Sequence, residues 1–172
     1  LVKRGEKPTV SNQLKVVSEA MRNIMPIINK YSVVITHGNG IQVGNILIRV
    51  ESALGKAYSL PLEVCVAESE GEIGYLIEQS LQNELKEHKI KHSIVTILTQ
   101  VLVDKKDPLF KHPTKPIGPF YSKKRAEILK RKGLKMINDS NRGYRRVVPS
   151  PKPIKIIETE TIKKLIKNNV IV

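Results

Sequence analysis

An α/β fold built on a mostly parallel sheet follows from two features of the sequence. Apolar residues recur at steps of three and four in four separate stretches, and short β-branched runs stand between them. One of these runs is apolar almost throughout, the pattern of a strand covered on both faces. Helices alternating with such strands imply right-handed crossovers and a three-layer αβα architecture.

The first helix is marked by Leu14, Val17, Met21, Ile24 and Ile28, with Pro26 expected to kink or shorten its last turn. Val33-Val34-Ile35 reads as a strand. It runs into Thr36-His37-Gly38-Asn39-Gly40-Ile41-Gln42-Val43-Gly44, and a helix from about Ile41 carries Ile46, Leu47 and Val50 on one face. A looser stretch passes through Gly55 and Pro61. Ile73, Leu76, Ile77, Leu81 and Leu85 then predict a strongly apolar helix, entered through Glu70-Gly71-Glu72, whose acids suit a helix start. Ser93 to Val101 reads as the continuous apolar strand.

From Asp104 to Pro153 the character changes. Prolines at 108, 113, 116, 119, 149, 151 and 153 bracket a basic segment, expected to form a flap within about residues 108–153. It contains one short helix, with Ser122 as N-cap and Gly133 as its stop. Ile162, Leu165 and Ile166 mark a last helix, and Val170-Ile171-Val172 opens a strand at which the sequence stops. That ending, with a first residue that is not methionine, reads as a chain cut in mid-fold at both ends.

The strand–glycine–helix segment admits two readings. Backbone N–H groups and the positive helix end can hold an anion, with Gly38 and Gly40 permitting positive φ and close approach of a ligand. Alternatively, the glycines only turn an ordinary βα corner.

Composition narrows the partners. The single cysteine, Cys65, excludes an internal disulfide framework, fits a reducing cytoplasm, and sits in an apolar stretch as a small buried hydrophobe. No apolar run reaches membrane-spanning length, and residues 1–8 do not read as a secretory signal. The net charge of +14 would suit a polyanion, but it equally describes a lysine-rich surface. Nucleic acid is disfavoured: there is no aromatic RNA-recognition motif, no zinc-finger spacing and no tryptophan. His37, His88, His92 and His112 show no ligand spacing, so no metal site is expected. His37 is expected to position the turn rather than act as base or ligand.

Four ordered blocks carry a more specific signal: residues 37–45, Glu70-Gly71-Glu72-Ile73-Gly74-Tyr75, Lys111 to Phe120, and Arg142 to Pro151. Together they resemble carbamate kinase, of the amino acid kinase superfamily, from Arg4-Gly5-Glu6-Lys7 to the last residue. Ile41, Glu70 and Asn141 depart from the family's usual proline, glutamine and glycine. Glu70 is thereby expected to bring negative charge near a helix start facing the site.

The resemblance implies the amino acid kinase fold and the reaction ATP + carbamate ⇌ ADP + carbamoyl phosphate, a step of arginine metabolism. It covers only the N-terminal, carbamate-holding lobe, residues 1–172, including the flap. The opening Gly-Gly-Asn strand and the whole nucleotide lobe would lie outside. ATP or ADP with Mg²⁺ would therefore be held mostly by residues beyond this chain. His37, Gly38, Asn39, Gly40 and Gln42 are the implied substrate-binding residues. Lys115, within Pro113-Thr114-Lys115-Pro116-Ile117-Gly118-Pro119, is the implied catalytic cation, against the alternative of a solvated loop lysine. Arg142, Arg145 and Arg146 could clamp phosphate, or pair with Asp139 or Glu158 as structure. A homodimer is expected both from the family and from surplus apolar surface on the helix at 73–85. The alternatives are a non-catalytic fragment or interaction module, and, third, a basic nucleic-acid binder. The isolated chain is expected to be inactive.

Overall fold

The structure is a computed structural model that describes residues 6–7, 9–140 and 142–172. Arg4 and Gly5, where the resemblance begins, and the Asn141 departure lie outside the described residues. In chain order the elements are α1 (Val10–Ile28), α2 (Gly40–Ser52), α3 (Leu62–Glu87), β1 (Ser93–Ile94), β2 (Val101–Val103), β3 (Lys115–Tyr121), α4 (Lys123–Arg131), β4 (Met136–Asn138), β5 (Tyr144–Val148), β6 (Pro153–Ile156), α5 (Thr159–Lys167) and β7 (Val170–Ile171). A single turn of 3-10 helix, Pro108–Phe110, precedes β3. The chain divides into two compact units. Unit 1 comprises Leu1–Asn39, Ala67–Thr99 and Ile157–Val172, and unit 2 comprises Gly40–Val66 and Gln100–Ile156.

Unit 1 holds the expected parallel pairing. β1 and β7 pair in parallel, Ser93 with Val170 and Ile94 with Ile171. On the other edge of β7 the Ile35 amide donates to the Val172 carbonyl at 2.7 Å, and the Val172 amide donates to Val33 at 3.4 Å. Residues 33–35 thus join as a third parallel line, with the C-terminal residues in the middle. Val17, Met21, Met25 and Ile28 of α1 pack with Leu76, Leu81 and Leu85 of α3 and with Ile171. Thr9 caps α1 through the Asn12 amide, 3.2 Å away. Pro26 removes an N–H from the last turn, and the helix stops at Ile28.

Unit 2 is antiparallel. β2 pairs with β6, and β3, β5 and β4 form a three-stranded sheet in that order. Ser122 accepts from the Arg125 amide at 3.3 Å and so starts α4, while Gly133, at φ +87°, ends it in the left-handed conformation glycine favours. Two small cores serve the unit. Val43, Ile46 and Cys65 form one, confirming Cys65 as a buried hydrophobe, and Ala126, Leu129 and Met136 form the other. Gly44 of α2 lies against β3, where an added Cβ would stand 3.4 Å from the Gly118 backbone.

Three expectations need correction. α3 begins at Leu62, not near Glu70, because neither Gly71 nor Gly74 breaks a helix whose apolar face continues on both sides. The strand expected over 93–101 is interrupted. Val95 still donates to Ile171, but the Thr99 amide then turns to the Glu70 carboxylate at 2.8 Å, and β2 begins only at Val101. An apolar run has the propensity for a strand, but a ladder needs a neighbour. Finally, the apolar face of residues 73–85 is covered, with Leu76, Leu81 and Leu85 in the unit 1 core and Ile73 fully buried. The surplus surface offered as a reason for dimerisation is not there.

Candidate functional site

In unit 1 the loop at 36–39 follows the line of Val33 to Ile35, just beyond the carboxyl ends of the parallel strands. Those ends, with His37, Gly74, Glu78 and Thr96, line a small cleft of about 80 Å³. The carboxyl end of a parallel sheet is where α/β proteins collect ligands, because loops there are free to vary above fixed strands. His37 is exposed and its ring makes no hydrogen bond among the described residues, so the turn-positioning bond expected of it is not formed. Asn39 is fixed instead. Its Nδ2 donates to Ser69 Oγ of α3 at 2.8 Å, and Ser69 is fully buried. An amide nitrogen carries two N–H groups, and this bond uses one of them.

Gly38 and Gly40 behave differently from the expectation. Positive φ occurs at Gly55, Gly118, Gly133 and Gly143, not at these two. A Cβ added to either would meet nothing within 4 Å. Neither backbone strain nor internal packing demands glycine at these two positions.

In unit 2, α2 begins at Gly40 with no acidic residue in its first turn, so the positive end of a 13-residue helix is not offset by carboxylates of its own. Gln42 is buried, at 1% exposure, and belongs to the interior of that turn. Lys115 opens β3, opposite Val148 of β5, and is exposed with no ion pair among the described residues.

The arginines separate into two groups. Asp139 accepts from Arg142 at 3.2 Å and from Arg145 at 3.4 Å, and Arg145 Nε also donates to the Gly118 carbonyl at 3.2 Å. Both guanidinium groups stand over the Phe120 ring, 5.0 and 5.2 Å from its centroid. Desolvation pushes the Asp139 carboxyl up, but the hydrogen bonds and charges of Arg142 and Arg145 outweigh it and hold the group below its ordinary range. The structural reading of Arg142 and Arg145 through Asp139 is therefore the observed one. Arg146 makes no such pair among the described residues.

Glu70 is also relocated. It lies more than two turns inside α3, where its carboxylate holds the amide and hydroxyl of Thr99, at 2.8 and 3.3 Å. It is not at a helix start, so its expected effect there lapses. Sequence reasoning missed Ser69 because it placed the helix start after that residue. The long helical register through Leu62 and Val66 was the signal that would have found it. No group of three or more His, Cys, Asp or Glu stands together as metal ligands among the described residues.

A unit of parallel strands with an open, glycine-bearing loop at its strand ends, and a second unit of antiparallel strands, define a mixed α/β protein. No family model matches the chain. Over its whole length, however, it is 47% identical to the carbamate kinase of Pyrococcus horikoshii and 45% identical to that of Trichomonas vaginalis. It superimposes on Giardia lamblia carbamate kinase bound to AMP-PNP with a TM-score of 0.87 at 42% identity, covering 99% of this chain and 55% of that one. The chain is thus similar to carbamate kinases along its entire length. It spans about half the length of the curated relatives it matches, 56% in each of the two named.

Proposed function

We propose that this chain supplies the carbamate-holding half of a carbamate kinase, ATP + carbamate ⇌ ADP + carbamoyl phosphate. The observation that carries the reading is identity of 45–47% to carbamate kinases along the entire chain. In the forward direction a carbamate oxygen forms a bond to the γ-phosphorus while the bond to the β,γ-bridging oxygen breaks, and ADP leaves with that electron pair. Carbamate already carries an anionic oxygen, so no strong general base is needed. Catalysis is then positioning and charge compensation.

Within this reading Asn39, held by Ser69, and the backbone at His37, Gly38 and Gly40 receive the substrate anion. Gln42 acts from inside the turn as a positioning residue. Lys115 offsets the charge that develops on the transferring phosphoryl group; it is exposed and has no carboxylate partner among the described residues. ATP or ADP with Mg²⁺ supplies the phosphoryl group and would be held mostly by the part of the relatives this chain does not span. The Giardia relative bound to AMP-PNP supports a nucleotide as co-substrate. A homodimer, a cytoplasmic location and a role in arginine metabolism follow from the resemblance. No helix among the described residues is long and apolar enough to cross a membrane.

The test is ATP formation from ADP and carbamoyl phosphate. It is run on the 172-residue chain and on the same chain joined to the remaining part of the Pyrococcus horikoshii relative. Activity is expected only from the joined protein, since positioning two reactants can account for about 7–11 kcal/mol of a barrier. In it, Lys115→Ala should lower kcat by about 100-fold or more with a smaller change in KM. Asn39→Ala should raise KM as well. A folded but inactive joined protein would overturn the reading, and wild-type turnover in Lys115→Ala would return that lysine to the solvated surface.

A further inference from the structure

Unit 2 contains a cavity of about 400 Å³ that includes neither residues 37–42 nor Lys115. Its apolar walls come from Leu47 and Val50 of α2, Leu60, Ile117 of β3, and Leu134 after α4. That volume falls in the range of pockets that bury small organic ligands. Three ionisable side chains and one phenol reach the same space: Glu51, Lys132, Arg146 and Tyr121.

These groups are not equivalent. Glu51 is already occupied. It accepts from the Tyr121 hydroxyl at 3.3 Å and forms an ion pair with Arg125, which offsets its charge. Burial first, and the neighbouring Glu51 second, hold the Tyr121 phenol above its ordinary range, so it adds no negative charge. Lys132 is exposed. Arg146 is half-buried and has no carboxylate within ion-pair distance among the described residues, whereas the adjacent Arg145 shares Asp139 with Arg142. A guanidinium drawn out of water beside apolar walls is costly unless an anion meets it. The surrounding field points the same way. Unit 2 carries 18 of the 30 Lys and Arg and 6 of the 16 Asp and Glu, a net charge of +12.

We propose that this cavity binds an amphipathic carboxylate, its acyl or aryl body against Leu47, Val50, Leu60 and Leu134 and its head group on the fork of Arg146. Guanidinium meets carboxylate in a bidentate geometry that a lysine does not reproduce, which assigns the head group to Arg146 rather than Lys132. The site is independent of the phosphotransfer reading and is tested without an activity assay.

The experiment is calorimetric titration of the 172-residue chain with octanoate and, separately, with 1-octanol, which has the same body and no charge. Octanoate should bind at least tenfold more tightly than octanol. Arg146→Met keeps an apolar stem and removes the charge. It should weaken octanoate at least tenfold and leave octanol within twofold, while Arg146→Lys should fall between. Leu60→Trp, which fills the cavity, should abolish both. Val50→Trp does the same from another wall, and circular dichroism identifies whichever of the two remains folded. Equal affinity for octanoate and octanol in the wild type would overturn the proposal. So would octanoate binding that salt weakens but Arg146→Met does not, since that result assigns the effect to surface charge.

Discussion

The two units solve different problems with the same chain. Unit 1 carries 12 Lys and Arg against 10 Asp and Glu, a net charge of only +2, and unit 2 carries the remaining +12. Unit 1 gathers eight buried apolar residues of the described chain into one cluster under a parallel sheet. Unit 2 has two clusters of three beside antiparallel pairs, with Ile117, Val147 and Val148 buried outside them. A single well-filled core fixes backbone positions, and that is what an oriented loop such as 36–39 requires. Small cores leave room for a cavity and a surface on which cations outnumber acids. The difference teaches that the positive charge of this chain is not a general surface property. It is concentrated in the unit bearing Lys115, Arg146 and the cavity.

The comparison can be broken first at the cores. Leu81→Ala in unit 1 should cost about 2–5 kcal/mol, because the side chain is fully buried among α1 and α3 residues that cannot easily close the gap. Amide exchange should show that loss across α1 and the 67–87 part of α3. A change below about 1 kcal/mol would mean the unit 1 core is not the close-packed element described.

A smaller contrast lies in two helical glycines. A Cβ at Gly74 would overlap the Thr96 side chain, which is itself held by a 3.0 Å hydrogen bond to Glu78. Gly74→Ala should therefore destabilise unit 1 by about 1–3 kcal/mol, and Thr96→Ala in the same chain should recover most of it. At Gly44 in unit 2 the added methyl meets the Gly118 backbone at an ordinary contact distance. There the gain in helix propensity offsets crowding, and Gly44→Ala should stay within roughly 1 kcal/mol of the parent by thermal melting.

Charge gives the next contrast. In about 1 M salt, where the screening length is about 3 Å, unit 2 amides should gain protection relative to those of unit 1. Equal gains would show that the charge of unit 2 is not repelling itself. The smallest effect concerns Asp139, whose folded pKa is depressed by its two arginines. Its contribution is complete above the ordinary carboxyl value of about 3.9 and is lost as pH falls through the depressed value. Protection of β4 and β5 amides should decline over that acid window in the parent and be flat there in Asp139→Asn.

Much of this was legible in the sequence, for reasons that are local. Helical spacing located α1, α2, α4 and α5, because the period of the apolar residues and the caps at Ser122 and Gly133 are properties of a few adjacent residues. The four ordered blocks pointed to the carbamate kinases that the chain proves similar to, and the burial of Cys65 followed from its apolar neighbours. Tertiary structure alone decided where α3 begins, where the 93–101 run stops being a strand, and which polar groups meet. Ser69 holds Asn39 across 30 residues of sequence, and Glu70 takes the Thr99 amide across 29. Asp139 pairs with Arg142 and Arg145 and leaves Arg146 to the cavity. Local pattern fixes which conformation a segment favours. A hydrogen bond, a strand ladder or an ion pair also needs a partner in space, and only the folded chain supplies it.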